Sequence, residues 1–116
     1  MLVVEDEGSA AMALILHLGT LGNIMLGPAS SGEEALAIAT RQRPELVLMD
    51  VNLEGPLDGI ETARAIRKLY KIDIVFMSAF EAEIIARRAA GLEPFACIEK
   101  PFELDDIEKL IDKPPS

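Results

Sequence analysis

The sequence contains no tryptophan, one tyrosine (Tyr70), one histidine (His17) and one cysteine (Cys97). A lone cysteine excludes an internal disulfide and fits a reducing compartment. One histidine beside one cysteine also excludes, by count, a metal site built from those two residue types. With so few rings, aliphatic side chains are expected to fill the core. Base is scarce too: 11 Lys and Arg stand against 20 Asp and Glu, a formal net charge of −9. Such a surface repels polyanions, so neither nucleic acid nor an anionic membrane is an expected partner. The longest apolar run, Ala10 to Leu16, is far too short to span a bilayer. Glu5, Asp6 and Glu7 stand where a signal peptide would carry base. These absences lead to the expectation of a soluble, cytoplasmic protein.

What is present fits one compact domain: 116 residues, half of them hydrophobic. Short apolar runs alternate with stretches of helical period. Leu2–Val4 reads as a first strand and Ser9–Leu21 as a helix, with Gly22 at the place of a C-cap glycine. Ile24–Leu26 is the second strand candidate. Ser31 and Glu34 stand at capping-box spacing before a helix over Glu33–Arg41. Leu46–Met49 follows Pro44 and is apolar on both faces, the pattern of a central parallel strand. Asp58 and Glu61 repeat the capping spacing and open a helix to about Tyr70. Ile72–Met77 is the fourth strand, Glu81–Ala90 a helix ended by Gly91, Phe95–Ile98 the fifth strand and Leu104–Ile111 the last helix.

Strands alternating with helices predict an α/β fold, a doubly wound parallel sheet covered on both faces. Right-handed crossovers leave few topologies, among them the flavodoxin-like (βα)5 order 2-1-3-4-5. The domain is expected to occupy residues 1–112, with residues 113–116 (Lys-Pro-Pro-Ser) beginning a linker or tail.

In such a sheet, ligands bind beyond the carboxyl ends of the strands. Glu5 and Asp6 follow the first strand, Asp50 ends the third, Ser78 ends the fourth and Lys100 follows the fifth. The 2-1-3-4-5 order would bring them to one shallow pocket. Clustered carboxylates raise one another's pKa unless a cation sits among them. A hard divalent ion such as Mg²⁺ is content with two carboxylates, waters and a phosphate. Asp50 could then act as a nucleophile toward phosphorus, with Lys100 and the Ser78 hydroxyl binding phosphoryl oxygens. The bland readings are a solvated acidic helix start at Glu5–Glu7, a turn serine at Ser78 and a surface lysine at Lys100. His17 reads as a surface or packing residue, and Cys97 as a small core residue.

The segments Val4-Glu5-Asp6-Glu7, Leu48-Met49-Asp50-Val51-Asn52, Met77-Ser78-Ala79 and Lys100-Pro101-Phe102 together resemble the receiver domains of two-component response regulators. The resemblance covers nearly the whole chain. It implies that Asp50 is the phospho-acceptor and that Asp6 binds Mg²⁺ or Mn²⁺ directly, with Glu5 beside it. The Asn52 backbone carbonyl would complete the metal's protein ligands. Ser78 and Lys100 would bind the phosphoryl group, and Pro101 would follow a cis peptide bond. It further implies a phosphodonor histidine on a histidine kinase or phosphotransfer protein. A downstream protein partner would be engaged through the fourth helix, fifth strand and fifth helix; homodimer formation is left open. Such a domain is not an enzyme, though it assists its own phosphorylation and dephosphorylation.

Two features depart from the family pattern. Cys97 stands where receivers usually carry a switching aromatic, and Phe95 is expected to point the other way from its strand. The loop Asn52–Leu57 looks slightly longer than the common form, which resembles receivers associated with hybrid and PAS-type sensor kinases. Cys97 motivates an alternative, an interaction module of the same fold that signals without phosphorylation. An aspartyl phosphatase of the haloacid-dehalogenase type is disfavoured, because Asn52 replaces the second acid such enzymes carry and no cap domain is present.

Overall fold

The computed structural model describes residues 1–112, and the expected linker falls on residues 113–116, outside them. The elements run β1 (Leu2–Val4), α1 (Gly8–Thr20), β2 (Leu26–Ala29), α2 (Gly32–Gln42), β3 (Leu46–Asp50), α3 (Gly59–Arg67), β4 (Asp73–Ser78), α4 (Ala82–Arg88), β5 (Ala96–Glu99) and α5 (Leu104–Asp112). All strand pairs are parallel, in the order β2-β1-β3-β4-β5. This is the expected flavodoxin-like arrangement.

Side chains alternate across the sheet with period two. Leu2, Val4, Val47, Met49, Ile74 and Phe76 face α2, α3 and α4, where Ala35, Ala39, Ile60, Ala63, Ile66, Ile85 and Ala89 meet them. Val3, Leu46, Leu48, Val75 and Met77 face α1 and α5, which contribute Ala11, Leu14, Leu18 and Ile107. Burial on both faces explains why β3 and β4 carry unbroken apolar runs. The core is mainly aliphatic, with one qualification: Phe76 is fully buried, and the Phe95 ring meets it edge-on at 5.4 Å.

Helix ends follow their local chemistry. Ser31 accepts from the Glu34 N–H, and Asp58 and Glu61 form a reciprocal capping box. Gly22 takes the left-handed conformation after α1. α3 ends at Arg67, short of Tyr70. There the guanidinium of Arg67 donates to the Ile72 and Leu92 carbonyls, and the Tyr70 hydroxyl donates to Pro44 O.

The second strand is corrected by the structure. It spans Leu26–Ala29, and only Leu26 belongs to the expected Ile24–Leu26; Ile24 is 82% exposed. Gly27 and Pro28 lie inside it. Gly27 adopts φ 96°, a conformation open to glycine, and the register against β1 shifts between Leu2 and Val4. Proline is tolerated because β2 is an edge strand and has no ladder partner on its outer side.

Candidate functional site

The carboxyl ends of β1, β3 and β5 converge. Lys100 Nζ lies 2.9 Å from Glu5 Oε1 and 3.3 Å from Asp50 Oδ1, joining residues 95 apart in the chain. The Asn52 N–H donates to the same Asp50 Oδ1 at 3.1 Å. Glu5, Asp6 and Asp50 each offer a carboxylate oxygen within 4.8 Å of the other two. Glu5 and Asp50 are 4% and 3% exposed, whereas Asp6 is exposed.

Backbone bonds hold these groups in place. The Glu5 N–H donates to Ala29 O on β2, and the Val51 N–H donates to Met77 O on β4. The Lys100 N–H donates to Ser78 O at 2.7 Å, which seats the lysine one residue beyond β5. The Lys100–Pro101 peptide is cis.

Burial, together with the hydrogen bond and charge of Glu5, pushes Asp50 up to about 7, against the pull of Lys100. Burial also acts to raise Glu5, but its hydrogen bonds to Asp50 and Lys100 outweigh that and hold it below the ordinary carboxylate range. Lys100 is raised: burial works against its charge, and the two carboxylates more than compensate. Below about pH 7 the two buried acids therefore share one proton. Above it, a second negative charge must be balanced at the site.

The residues anticipated from sequence occupy different parts of this arrangement. Glu5, Asp6, Asp50 and Lys100 are brought together directly, and Asn52 joins through its N–H. Ser78 is 2% exposed, and its Oγ accepts from the Phe80 N–H at 2.8 Å, leaving its own hydrogen free to donate. Cys97 is not part of the pocket. It pairs with Phe76 in register and packs against the α2–α4 side of the sheet, where burial raises its thiol pKa.

The expectation that Phe95 points away from the Cys97 side does not hold. Residues two apart on an extended chain share a face, and Phe95 and Cys97 both pack against the cluster that contains Phe76. Gly59 is a functional position missed in the sequence. A Cβ there would run into the Asp50 carbonyl, so only glycine lets α3 begin against the site. Its place inside the Asp58 capping box was the available signal.

The donor set fits a hard divalent cation: three carboxylates, two of them buried, with no sulfur or imidazole among them. Residues 1–112 match the family described as the response regulator receiver domain. The chain belongs to that family.

This receiver domain is 33% identical over 111 residues to the transcriptional regulatory protein PdtaR of Mycobacterium tuberculosis, covering 96% of this chain and 54% of that protein. It is 28% identical to the phyllosphere-induced regulator PhyR of Methylorubrum extorquens, covering 97% of this chain and 42% of that one. The chain thus spans about half the length of the curated relatives it matches. Among solved structures, the signal receiver domain of a modulated diguanylate cyclase from Desulfovibrio desulfuricans G20 superposes with a TM-score of 0.84 at 35% identity, over 96% of this chain and 88% of that one. Receiver domains are signalling domains of two-component systems, generally bind Mg²⁺ at an acidic pocket and interact with histidine kinases and downstream partners. Among the described residues, no helix is long and apolar enough to cross a membrane.

Proposed function

We propose that Asp50 accepts a phosphoryl group from a phosphohistidine on a partner kinase or phosphotransfer protein, and that this switches a protein-interaction surface. The observation that carries the reading is the buried Asp50 carboxylate, held by Lys100 and the Asn52 N–H beside Glu5 and Asp6. An Asp50 carboxylate oxygen attacks phosphorus, the bond to the imidazole nitrogen breaks, and the imidazole keeps that electron pair. An acyl phosphate results.

Lys100 Nζ, released from Asp50 Oδ1, offers its charge to a phosphoryl oxygen. The Ser78 hydroxyl hydrogen is free to donate to another. Glu5 and Asp6, with Asp50 and the Asn52 carbonyl, would hold Mg²⁺ or Mn²⁺. When bound, the ion supplies the positive charge that offsets repulsion between the carboxylate and the incoming anion. When Lys100 and Ser78 engage the phosphoryl group, Lys100 gives up its contact with Asp50, and the α4–β5–α5 face shifts. Moving a two-state equilibrium nearly to completion takes about 5.5 kcal/mol of differential interaction.

The test is incubation with acetyl phosphate or phosphoramidate and Mg²⁺. Mass spectrometry should find one added phosphoryl group in the wild type and none in Asp50→Asn; no gain with either donor overturns the reading. Cys97, packed in the core at the usual aromatic position, favours a second reading: a receiver-fold module whose partner binds regardless of phosphorylation. That reading requires equal partner affinity for wild type and Asp50→Asn, with and without phosphodonor.

A further inference from the structure

A second cluster of groups able to ligate a metal lies between the first and last helices. His17 of α1 and Glu108 of α5 meet with Nε2 and Oε2 3.2 Å apart, and Asp105 joins them, each residue offering a ligand atom within 4.8 Å of the others. No residue of this set belongs to the Asp50 pocket. We propose that His17, Asp105 and Glu108 form a binding site for a borderline transition-metal dication of the Zn²⁺ class, clamping α5 to α1.

The donor types carry the assignment. One imidazole with two carboxylates suits Zn²⁺ and its neighbours, whereas Mg²⁺ prefers an all-oxygen shell such as the Asp50 pocket provides. Counting histidines and cysteines excludes a set made of those two types but does not reach a mixed imidazole–carboxylate set.

The geometry is close to what such an ion needs. Ligands about 2.1 Å from a common ion in a tetrahedron lie roughly 3.4 Å apart, and the His17–Glu108 pair is already at 3.2 Å. Asp105 and Glu108 are three residues apart on α5, so both project from one face of that helix. Asp105 makes no side-chain hydrogen bond among the described residues, and its exposed carboxylate already brings an oxygen within 4.8 Å of the ligand atoms of His17 and Glu108. His17 and Glu108 side chains are 27% and 35% exposed, leaving a fourth position open to water. An ordinary helix-to-helix hydrogen bond would use Glu108 alone and would give Asp105 no part.

His17 is the sole histidine, so its ring signals report the site without ambiguity. The test uses the 116-residue chain carrying Asp6→Asn and Asp50→Asn, which disables the acidic pocket, titrated with zinc chloride. Calorimetry should count one saturable site, and the ¹⁵N resonance of the metal-bound imidazole nitrogen should shift in step with it. Affinity should fall at least about tenfold in the isosteric Asp105→Asn and Glu108→Gln variants, and the site should vanish in His17→Gln. Mg²⁺ at the same concentration should leave the ring signals unmoved. Ring signals that ignore Zn²⁺, or that respond in both carboxamide variants as strongly as in the wild type, overturn the site. A response to Mg²⁺ equal to that to Zn²⁺ overturns the metal class.

Discussion

The interior of β3 and β4 and the carboxyl edge of the same strands follow opposite rules. In the interior, Val47, Leu48, Met49, Ile74, Val75, Phe76 and Met77 are fully buried and apolar, and every contact lowers the free energy of the fold. At the edge, Asp50 and Ser78 are nearly as buried but polar, and the Asp50 carboxylate sits beside Glu5 with one lysine between them. Stability is kept in the interior and reactivity at the edge. The apolar interior holds the strands rigid enough for the edge to keep two acids together that water would separate.

Removing the interior's largest ring should produce the greatest loss. Phe76→Ala is expected to cost about 3–5 kcal/mol, read as a fall in the urea midpoint; a loss near zero would mean that the interior is not what holds the edge. Lys100→Met sharpens the contrast from the other side. It strips the counter-charge from two buried carboxylates while retaining chain length. At pH 8 in metal-free buffer it should destabilise the protein by about 1–3 kcal/mol, and millimolar Mg²⁺ should restore part of the loss.

The smallest effect is a matter of slope. Asp50 is held up to about 7 in the folded protein, against 3.8 for the free side chain. The folded state therefore binds more protons between those values. The stability Asp50 contributes is complete below about pH 3.8 and is lost as pH rises through about 7. Asp50→Asn should flatten that fall and melt higher than the wild type above pH 7 without divalent ions. A parallel pair of Tm-against-pH curves would show that the carboxylate is not under this pressure.

Much of the edge was legible one residue at a time. Asp50 after four apolar residues, Ser78 after another such run, and Lys100 before Pro101 each mark a strand end by a change from apolar to polar. The capping box marks where α3 begins, but the need for glycine at position 59 was not legible, because its reason is the carbonyl of Asp50, a contact between two elements. The two-residue period of an extended chain is itself sufficient to place Phe95 on the same face as Cys97.

Local order alone determined the alternation of elements, the helix caps at Ser31 and Asp58, the doubly buried character of β3 and β4, and the set of polar groups at the strand ends. These are consequences of backbone period and short-range hydrogen bonding, which act within a few residues. Only the tertiary structure decided that Gly27 and Pro28 belong to an edge strand, that Lys100 pairs with Glu5 95 residues away, and that His17 meets Glu108 91 residues away. Such pairings depend on how the sheet twists and on which faces must be buried together. No local pattern encodes that.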